Sequence, residues 1–177
     1  KVAVAHPHQA AYLTRMEIRA ATGDELAAAS KIYHEVWHET HANFMPIEEV
    51  ERRSLAFFDE RVAHLYPNVI VAADIGVVGF AAWKDALLGQ IFVRASHRGA
   101  GIAAPLLAAT ERAMRANGAR DAELHCVVGN DRARRFYERC GWRCQGRVAA
   151  NHATEPAAGR AYDRHSKSRR PHGNEDS

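Results

Sequence analysis

The chain has 177 residues, of which 47% are hydrophobic and 25% are charged, so it is long and apolar enough for one compact domain with its own core. The formal net charge is only +3 and the basic residues form no long block, which argues against nucleic acid as a partner. No apolar run approaches the roughly 20 residues that cross a bilayer, so we expect no membrane partner either.

The cysteines bear on the cellular compartment of this protein, and the two ends of the chain bear on the limits of its domain. Cys126, Cys140 and Cys144 are odd in number and lack CxxC spacing, which argues against a disulfide framework or a zinc knuckle and favours a reducing cytoplasm. Residues 1–15 lack the apolar core of a signal peptide, and we expect them to be an extension, native or added, ahead of a natural start at Met16. The domain is then expected over residues 16–165, with a flexible tail over 166–177.

The first third of the domain predicts one strand and two helices. MEIRAAT (16–22) alternates like a short strand, and Thr22 or Asp24 can cap a helix over ELAAASKIYHEVWHE (25–39). The apolar residues of that helix near helical spacing are Leu26, Ile32, Tyr33, Val36 and Trp37. IEEVERRSLAFFDERVAHL (47–65) predicts a second amphipathic helix. Its expected buried stripe consists of Ile47, Val50, Leu55, Phe58 and Val62.

The composition after Pro67 changes to β-branched runs with tight turns between them. The runs NVIVAAD (68–74), VVGFAAWKD (77–85) and LLGQIFV (87–93) predict three consecutive strands, which suggest an antiparallel meander.

The last part of the domain alternates helices and strands. A glycine turn leads into a helix over 103–117, which Asn117-Gly118 ends. AELHCVV, DRARRFYERC, WRCQGRVAA and GRAYDRHS predict a strand, a helix and two final strands. The whole order is β-α-α-β-β-β-α-β-α-β-β, an α/β (α+β) domain whose mixed, mostly antiparallel sheet is flanked by helices.

The turn RASHRGAG (94–101) before the third predicted helix suits an anion. The first N–H groups of a helix have no intrahelical acceptor and lie at the positive end of its dipole. The small residues that would let a pyrophosphate approach the backbone are Gly99, Ala100, Gly101 and Ala103. Arg98 can add a charged contact. Neither of two common phosphate-binding motifs matches this turn. A Walker loop needs Gly-Lys-Ser/Thr, whereas Ile102 and Ala103 follow Gly101 here, and a Rossmann turn follows the first strand of a parallel sheet, whereas this turn follows a predicted meander. Considered alone, the turn is either a phosphate cradle or only a connection.

A second motif lies on the helix that follows the fifth strand. Asn130 and Tyr137 are seven residues, or two helical turns, apart, so both lie near one face and can line one groove. Together with the glycine turn, this segment resembles the GNAT family of acetyl-coenzyme A dependent N-acetyltransferases. The family's signature Arg/Gln-x-x-Gly-x-Gly/Ala is matched by Arg98, Gly101 and Ala103. The residues that match its later signature, with Trp in place of the usual final Phe, are Asn130, Ala133, Phe136, Tyr137, Glu138, Gly141 and Trp142.

The resemblance implies that acetyl-coenzyme A lies in a gap where the fourth and fifth strands splay apart. Its pyrophosphate would contact the amides from Arg98 to Ala103, and its pantetheine arm would pair with backbone near Phe92 and Val93, with Asn130 on the far side. The residues expected to bind the cofactor are therefore Phe92, Val93, Arg98, Gly99, Ala100, Gly101, Ile102, Ala103 and Asn130.

The reaction that the resemblance implies is direct attack by a primary amine, of a small molecule or of a protein or peptide, on the thioester. A backbone N–H of Val93 or Arg94 would stabilise the oxyanion. Tyr137, a phenol with an ordinary pKa of about 10, would protonate the departing thiolate. The general base stays open, because the fourth strand has Gln90 where many relatives have a glutamate. The alternatives are Glu35, His38, His41 and His125.

Three further alternatives stay open or are set aside on these residues. His38 and His41 share the spacing of metal ligands on one helical face, but no third ligand is near and the family needs none, so we expect no metal. The missing carboxylate base leaves a catalytically silent acyl-coenzyme A binder or sensor as the alternative to an active enzyme. Family members are often monomers or dimers, and we expect a monomer or a homodimer.

Overall fold

The computed structural model describes residues 16–148 and 159–165; the predictions for residues 1–15 and 166–177 lie outside them. The strands are β1 (Glu17–Ala20), β2 (Val69–Ala73), β3 (Val77–Lys84), β4 (Leu87–Val93), β5 (Asp121–Val127), β6 (Arg143–Val148) and β7 (Gly159–His165). The helices are α1 (Leu26–His41), α2 (Ile47–Arg52), α3 (Leu55–Leu65), α4 (Ala103–Ala116) and α5 (Asp131–Arg139). No helix in this part of the chain is long and apolar enough to cross a membrane.

All seven strands belong to one mixed sheet, in the order β1-β2-β3-β4-β5-β7-β6. The first four strands are antiparallel neighbours, β4 pairs with β5 in parallel, and β5, β7 and β6 are again antiparallel. The predicted meander and the predicted mixed, mostly antiparallel sheet are therefore confirmed.

The second predicted helix is wrong as a single element, because it is broken into α2 and α3. Ser54 has an extended backbone (φ −67°, ψ 167°) and its hydroxyl accepts the N–H of Phe57 at 3.3 Å, so it caps a new helix. The break resets the helical phase between the two halves. As a result, Ile47 is 63% exposed and Leu55 is 37% exposed, and the predicted stripe is buried at Phe58 and Val62 only in the second half.

Helices cover both faces of the sheet and form two hydrophobic cores. On one face, α1 and α3 pack against β2 and β3 through buried side chains that include Ile32, Tyr33, Val36, Trp37 and Phe58. The predicted buried face of the first helix is confirmed at the first four of these. On the other face, α4 and residues of α5 pack against the sheet. The sheet is thus buried on both sides along β2 and β3, whose residues are buried except for Lys84.

A buried carboxylate fixes α4 against the segment that follows α5. Glu111 is 3% exposed and its Oε1 accepts the indole N–H of Trp142 at 2.9 Å and a guanidinium N–H of Arg164 at 2.8 Å. Arg164 also donates to the carbonyl of Cys140. These charge-assisted bonds hold the end of α5 in place relative to α4.

Candidate functional site

The sheet opens between β4 and β5. The two strands pair only at their beginnings, where Leu87 faces Glu123 and Leu88 faces Leu124. Beyond these pairs β4 continues to Val93 without a strand partner on that side in the described part of the chain. The divergence opens a cleft of about 650 Å³, which residues of α1, α4 and α5 also line.

The backbone of β4 offers its hydrogen-bonding groups to this cleft at alternate residues. The N–H of Arg94 donates to the carbonyl of Val78 at 2.9 Å, so it is used by β3, and the assignment of Arg94 to an oxyanion is wrong. Because alternate residues in an antiparallel pair direct their N–H groups to opposite sides, Phe92 also pairs with β3, whereas Ile91 and Val93 face the gap. The predicted backbone role of Phe92 therefore passes to Ile91, and only the side chain of Phe92 lines the cleft.

The glycine turn forms one end of the cleft. Gly99 (φ +80°) and Gly101 (φ +82°) adopt left-handed backbone that residues with a Cβ rarely adopt. The first hydrogen bond of α4 runs from the N–H of Leu106 to the carbonyl of Ile102, so the N–H groups just before it have no intrahelical acceptor. The first turn of α4 contains no acidic residue. This end of the cleft is therefore suited to an anion.

The arginine of the turn is tied to the opposite wall of the cleft. Both terminal nitrogens of Arg98 donate to the carboxylate of Glu39 on α1, one of them at 2.7 Å, and its Nε donates to the carbonyl of Val93 at 3.4 Å. The hydrogen bonds from Arg98 hold the pKa of Glu39 below its usual value. The guanidinium of Arg98, which we predicted to contact phosphate, is therefore already hydrogen-bonded to the carboxylate of Glu39.

The charged side chains that line the cleft itself are all basic. Arg98, Arg132 and Arg139 line it, and no aspartate or glutamate is among its lining residues in the described part of the chain. A cleft lined by one sign of charge concentrates the opposite sign, so anionic ligands are favoured. We did not predict Arg132 and Arg139 as site residues from the sequence, although the run of arginines after Asn130 could have indicated a basic wall of the cleft.

The residues predicted to lie on one face of the last helix are both in the cleft. Asn130 is the N-cap of α5, where its Oδ1 accepts the N–H of Ala133 at 3.1 Å. Tyr137 is 9% exposed, and its ring packs near those of Trp142 and Tyr162, with centroids 6.4 and 6.2 Å away. Every predicted cofactor or catalytic residue except Ala100, which packs against the hydrophobic core, lines the cleft.

Two of the four candidate bases lie outside the cleft. The carbonyl of Arg53 accepts the Nε2 proton of His38 at 2.8 Å, which joins α1 to the α2–α3 connection. Glu35 is 59% exposed and lies 3.9 Å from Arg94. Neither lines the cleft, so neither is positioned to take a proton there.

His41 lines the cleft as a neutral side chain. Its ring is parallel to that of Trp37, with centroids 6.0 Å apart, and burial lowers its pKa to about 4. The hydroxyl of Thr40 lies 2.6 Å from the carbonyl of Val36 and 2.7 Å from Nδ1 of His41. Since the hydroxyl has one proton and the carbonyl can only accept it, Nδ1 of His41 must donate. With His38 and His41 engaged in this way, the described residues hold no cluster of three or more side chains suited to a metal ion.

His125 is the remaining candidate base, and it lies at a junction. It lines both the main cleft and a second cavity between α3 and β4. Its Nε2 is 2.8 Å from Oε1 of Glu123. Because an ionised carboxylate only accepts, Nε2 donates to Glu123, and in the neutral tautomer with this bond the lone pair is on Nδ1.

Comparisons with known proteins agree with this geometry. A family model described as "Acetyltransferase (GNAT) family" matches residues 29–142. The chain resembles a GCN5-related N-acetyltransferase from Rhodopseudomonas palustris at 18% identity and a TM-score of 0.68, over 85% of this chain and 95% of that one. It also resembles YncA of Salmonella typhimurium, a putative acetyltransferase solved with acetyl-CoA, at 21% identity and a TM-score of 0.64, over 88% and 97%.

A third similar structure is the PaiA N-acetyltransferase of Thermoplasma acidophilum in complex with coenzyme A, at 19% identity and a TM-score of 0.64, over 85% and 99% of the two chains. No curated protein sequence matches the chain. The family model covers well over half of the chain, and the two signatures in its matched region line one cleft. The chain therefore belongs to the GNAT acetyltransferase family.

Proposed function

We propose that this acyltransferase moves the acetyl group of acetyl-coenzyme A to a primary amine by direct attack of the amine on the thioester. The observation that carries the proposal is the cleft between β4 and β5, which has an anion cradle at one end and Tyr137 along its side. Acetyl-coenzyme A supplies the activated acetyl group, and the residues of the chain bind, orient and move protons around it.

The cofactor fits the cleft by charge and by backbone geometry. The turn takes the pyrophosphate on the N–H groups from Ala100 to Ala103, because the N–H of Arg98 already donates to the carbonyl of Ala95 at 3.2 Å. Arg132 and Arg139 add positive charge along the wall. The backbone of Ile91 and Val93, which faces the gap instead of β3, takes the amide groups of the pantetheine arm, as a neighbouring strand would. The NH₂ group of Asn130 is the part of that side chain which its helix cap does not use.

Proton transfer involves a residue on each side of the reacting carbonyl. In the net reaction the N–C bond forms and the C–S bond breaks, while the ammonium loses two protons, one to the leaving sulfur and one to solvent. Tyr137 donates the proton to the sulfur, and the N–H of Val93 stabilises the oxyanion. His125, oriented by Glu123, takes the amine proton at Nδ1.

The position of His125 is what favours it over the other candidate bases. It lies where the cleft and the second cavity meet, so an acceptor in the second cavity and a thioester in the cleft would both be near it. His125→Gln should lower kcat/KM about 10²- to 10⁴-fold and leave the Kd for coenzyme A unchanged. Glu123→Gln keeps an acceptor for Nε2 but removes its charge, so it should give a smaller loss and a shifted pH profile. An unchanged rate in His125→Gln would exclude this base.

We place the reaction in the cytoplasm, with the chain acting as a monomer or a homodimer and without nucleic acid. The support for the compartment is that Cys126, Cys140 and Cys144 are free thiols.

Turnover tests the proposal against a silent binder. The chain is incubated with acetyl-coenzyme A and a panel of primary amines, and both the free thiol and the mass of the acetylated amine are measured. We expect thiol release that depends on the amine, and none from Gly101→Glu, in which a negative charge stands in the cradle. Tight binding of acetyl-coenzyme A without thiol release on any amine would show a binding protein and contradict the proposal.

A further inference from the structure

A second cavity of about 480 Å³ lies on the side of the sheet that faces α3. Its walls include the apolar side chains of Phe57, Leu65, Leu87 and Leu88. It shares two lining residues, Gly89 and His125, with the main cleft, so the two spaces adjoin where β4 and β5 begin to diverge. A molecule in this cavity would approach the cleft from the side opposite the glycine turn.

Two buried polar atoms on residues that line this cavity lack hydrogen-bond partners in the described chain. One is Nε of Arg61 on α3, a donor, and the other is Oε1 of Gln90 on β4, an acceptor. Gln90 is only 6% exposed, so bulk solvent has little access to its side chain. Leaving buried donors and acceptors unpaired is unfavourable, and native proteins rarely do so without a ligand or water at the site.

The guanidinium of Arg61 is held in place but is not neutralised. It lies over the ring of Phe57, 5.6 Å from the centroid, which orients its plane. None of the ion pairs among residues 16–148 and 159–165 involves Arg61. A positioned, unpaired guanidinium with a buried N–H is a binding group for a planar anion.

The other charges of the cavity favour a singly charged anion. Lys84 adds a second positive charge at its lining, and Glu60 adds a negative one. A phosphate dianion would be disfavoured here, because the carboxylate of Glu60 would repel it and the four apolar side chains offer its oxygens no hydrogen-bond donors. A carboxylate needs only the two parallel N–H groups that an arginine presents.

We propose that this cavity is the acceptor site and that its substrate is a primary amine that also carries a carboxylate and an apolar side chain, as an amino acid or a short apolar peptide does. Arg61 binds the carboxylate, the apolar walls take the side chain, and Gln90 accepts a hydrogen bond from an N–H of the substrate. The amine then lies beside His125. This inference rests on the acetyl transfer proposed above and names its substrate class.

Pairs of acceptors that differ only in the carboxylate test the inference. The pairs are leucine with leucinamide, phenylalanine with phenylalaninamide, and glycyl-leucine with glycyl-leucinamide, and kcat/KM is measured for each by thiol release. At least one free acid should be preferred to its carboxamide by about tenfold or more. Preference for no free acid, or a preference for phosphoethanolamine over all of them, would overturn the assignment.

Substitution of Arg61 separates recognition of the carboxylate from general damage. Arg61→Met should lower kcat/KM for the preferred acid about 10- to 100-fold and change that of its carboxamide less than about threefold. Arg61→Lys keeps the charge without the fork and should fall between. Arg112→Met, the same change on the exposed side of α4, is the matched control and should change neither. Equal losses for acid and carboxamide in Arg61→Met would contradict the role of Arg61.

A binding measurement keeps the inference testable if no acceptor is acetylated. N-acetylleucine and N-acetylleucinamide, the two possible products, are titrated calorimetrically into the chain saturated with coenzyme A. The carboxylate should bind at least about tenfold more tightly, and Arg61→Met should remove the difference. Failure of turnover with this preference intact would refute the acetyl transfer alone, whereas turnover without any carboxylate preference would refute the acceptor class alone.

Discussion

The substitution Tyr137→Phe removes the proposed proton donor and leaves the packing of its ring intact. Tyr137 is 9% exposed and lies among Phe136, Trp142 and Tyr162, so phenylalanine should occupy the same space. The free energy of unfolding should change by no more than about 1 kcal/mol. The rate should fall much more, because general acid catalysis contributes about 10²- to 10⁴-fold, equivalent to about 3–5 kcal/mol of transition-state free energy.

The neighbouring Tyr162 offers a matched control for the loss of a phenolic hydroxyl. It is fully buried, burial raises its pKa to about 12, its hydroxyl interacts with the thiol of Cys144, and it is not among the residues that line the cleft. Tyr162→Phe should therefore leave kcat unchanged. The assay is thiol release at saturating acetyl-coenzyme A and pH 7, with the Kd for coenzyme A measured on each variant. An unchanged kcat in Tyr137→Phe, or equal losses in both variants, would exclude Tyr137 as the proton donor.

Three further predictions concern stability and cofactor affinity. A Cβ at Gly129 (φ +98°) would lie 2.9 Å from the ring of Phe44, whereas one at Gly118 (φ +93°) would meet nothing within 4 Å. Gly129→Ala should therefore be less stable in urea than Gly118→Ala by about 1 kcal/mol, and equal losses would contradict the contact. Glu39→Gln frees the cradle arginine and removes a negative charge, so calorimetry should show coenzyme A binding about two- to fivefold more tightly; weaker binding would contradict this. His41 stays neutral down to pH about 4 when folded but titrates near 6.5 when unfolded, so stability should fall as the pH drops from 6.5 towards 4. His41→Phe should reduce that fall by up to about 2 kcal/mol between pH 7 and pH 5, measured by urea unfolding, and an unchanged fall would contradict the burial.

The strands and the cofactor side of the site were predictable because their signals are local. The turn between β2 and β3 and the one between β3 and β4, where Asp85 has a φ of +54°, both contain turn residues that end β-branched runs. The glycine turn is equally local, since Gly99 and Gly101 must adopt positive φ and the helix begins within two residues of Gly101. The seven-residue spacing of Asn130 and Tyr137 likewise needed only helical geometry.

The break between α2 and α3 could not be predicted from periodicity. Both halves have helical composition, and the break depends on Ser54 serving as a cap rather than as an exposed helical residue. The burial of Ile47 and Leu55 was mispredicted for the same reason, because a stripe drawn across the break has the wrong phase.

The features of the site that the sequence could not predict depend on contacts between distant parts of the chain. At the cofactor end Arg98 pairs with Glu39 across 59 residues, and at the second cavity Arg61 on α3 lies near Gln90 on β4. The sequence drew attention to Gln90 only as a missing glutamate. Its buried, unpartnered oxygen is visible only once the strands and α3 are placed.

A crystal structure with coenzyme A would show directly whether the gap between β4 and β5 is the acetyl-coenzyme A site. We expect the pyrophosphate within hydrogen-bonding distance of the N–H groups from Ala100 to Ala103, and the pantetheine arm along the backbone of Ile91 and Val93 that faces the gap. The sulfur should lie beside the hydroxyl of Tyr137. Coenzyme A bound outside the gap between β4 and β5 would contradict the cofactor site, and a sulfur away from Tyr137 would contradict the role of Tyr137 as proton donor.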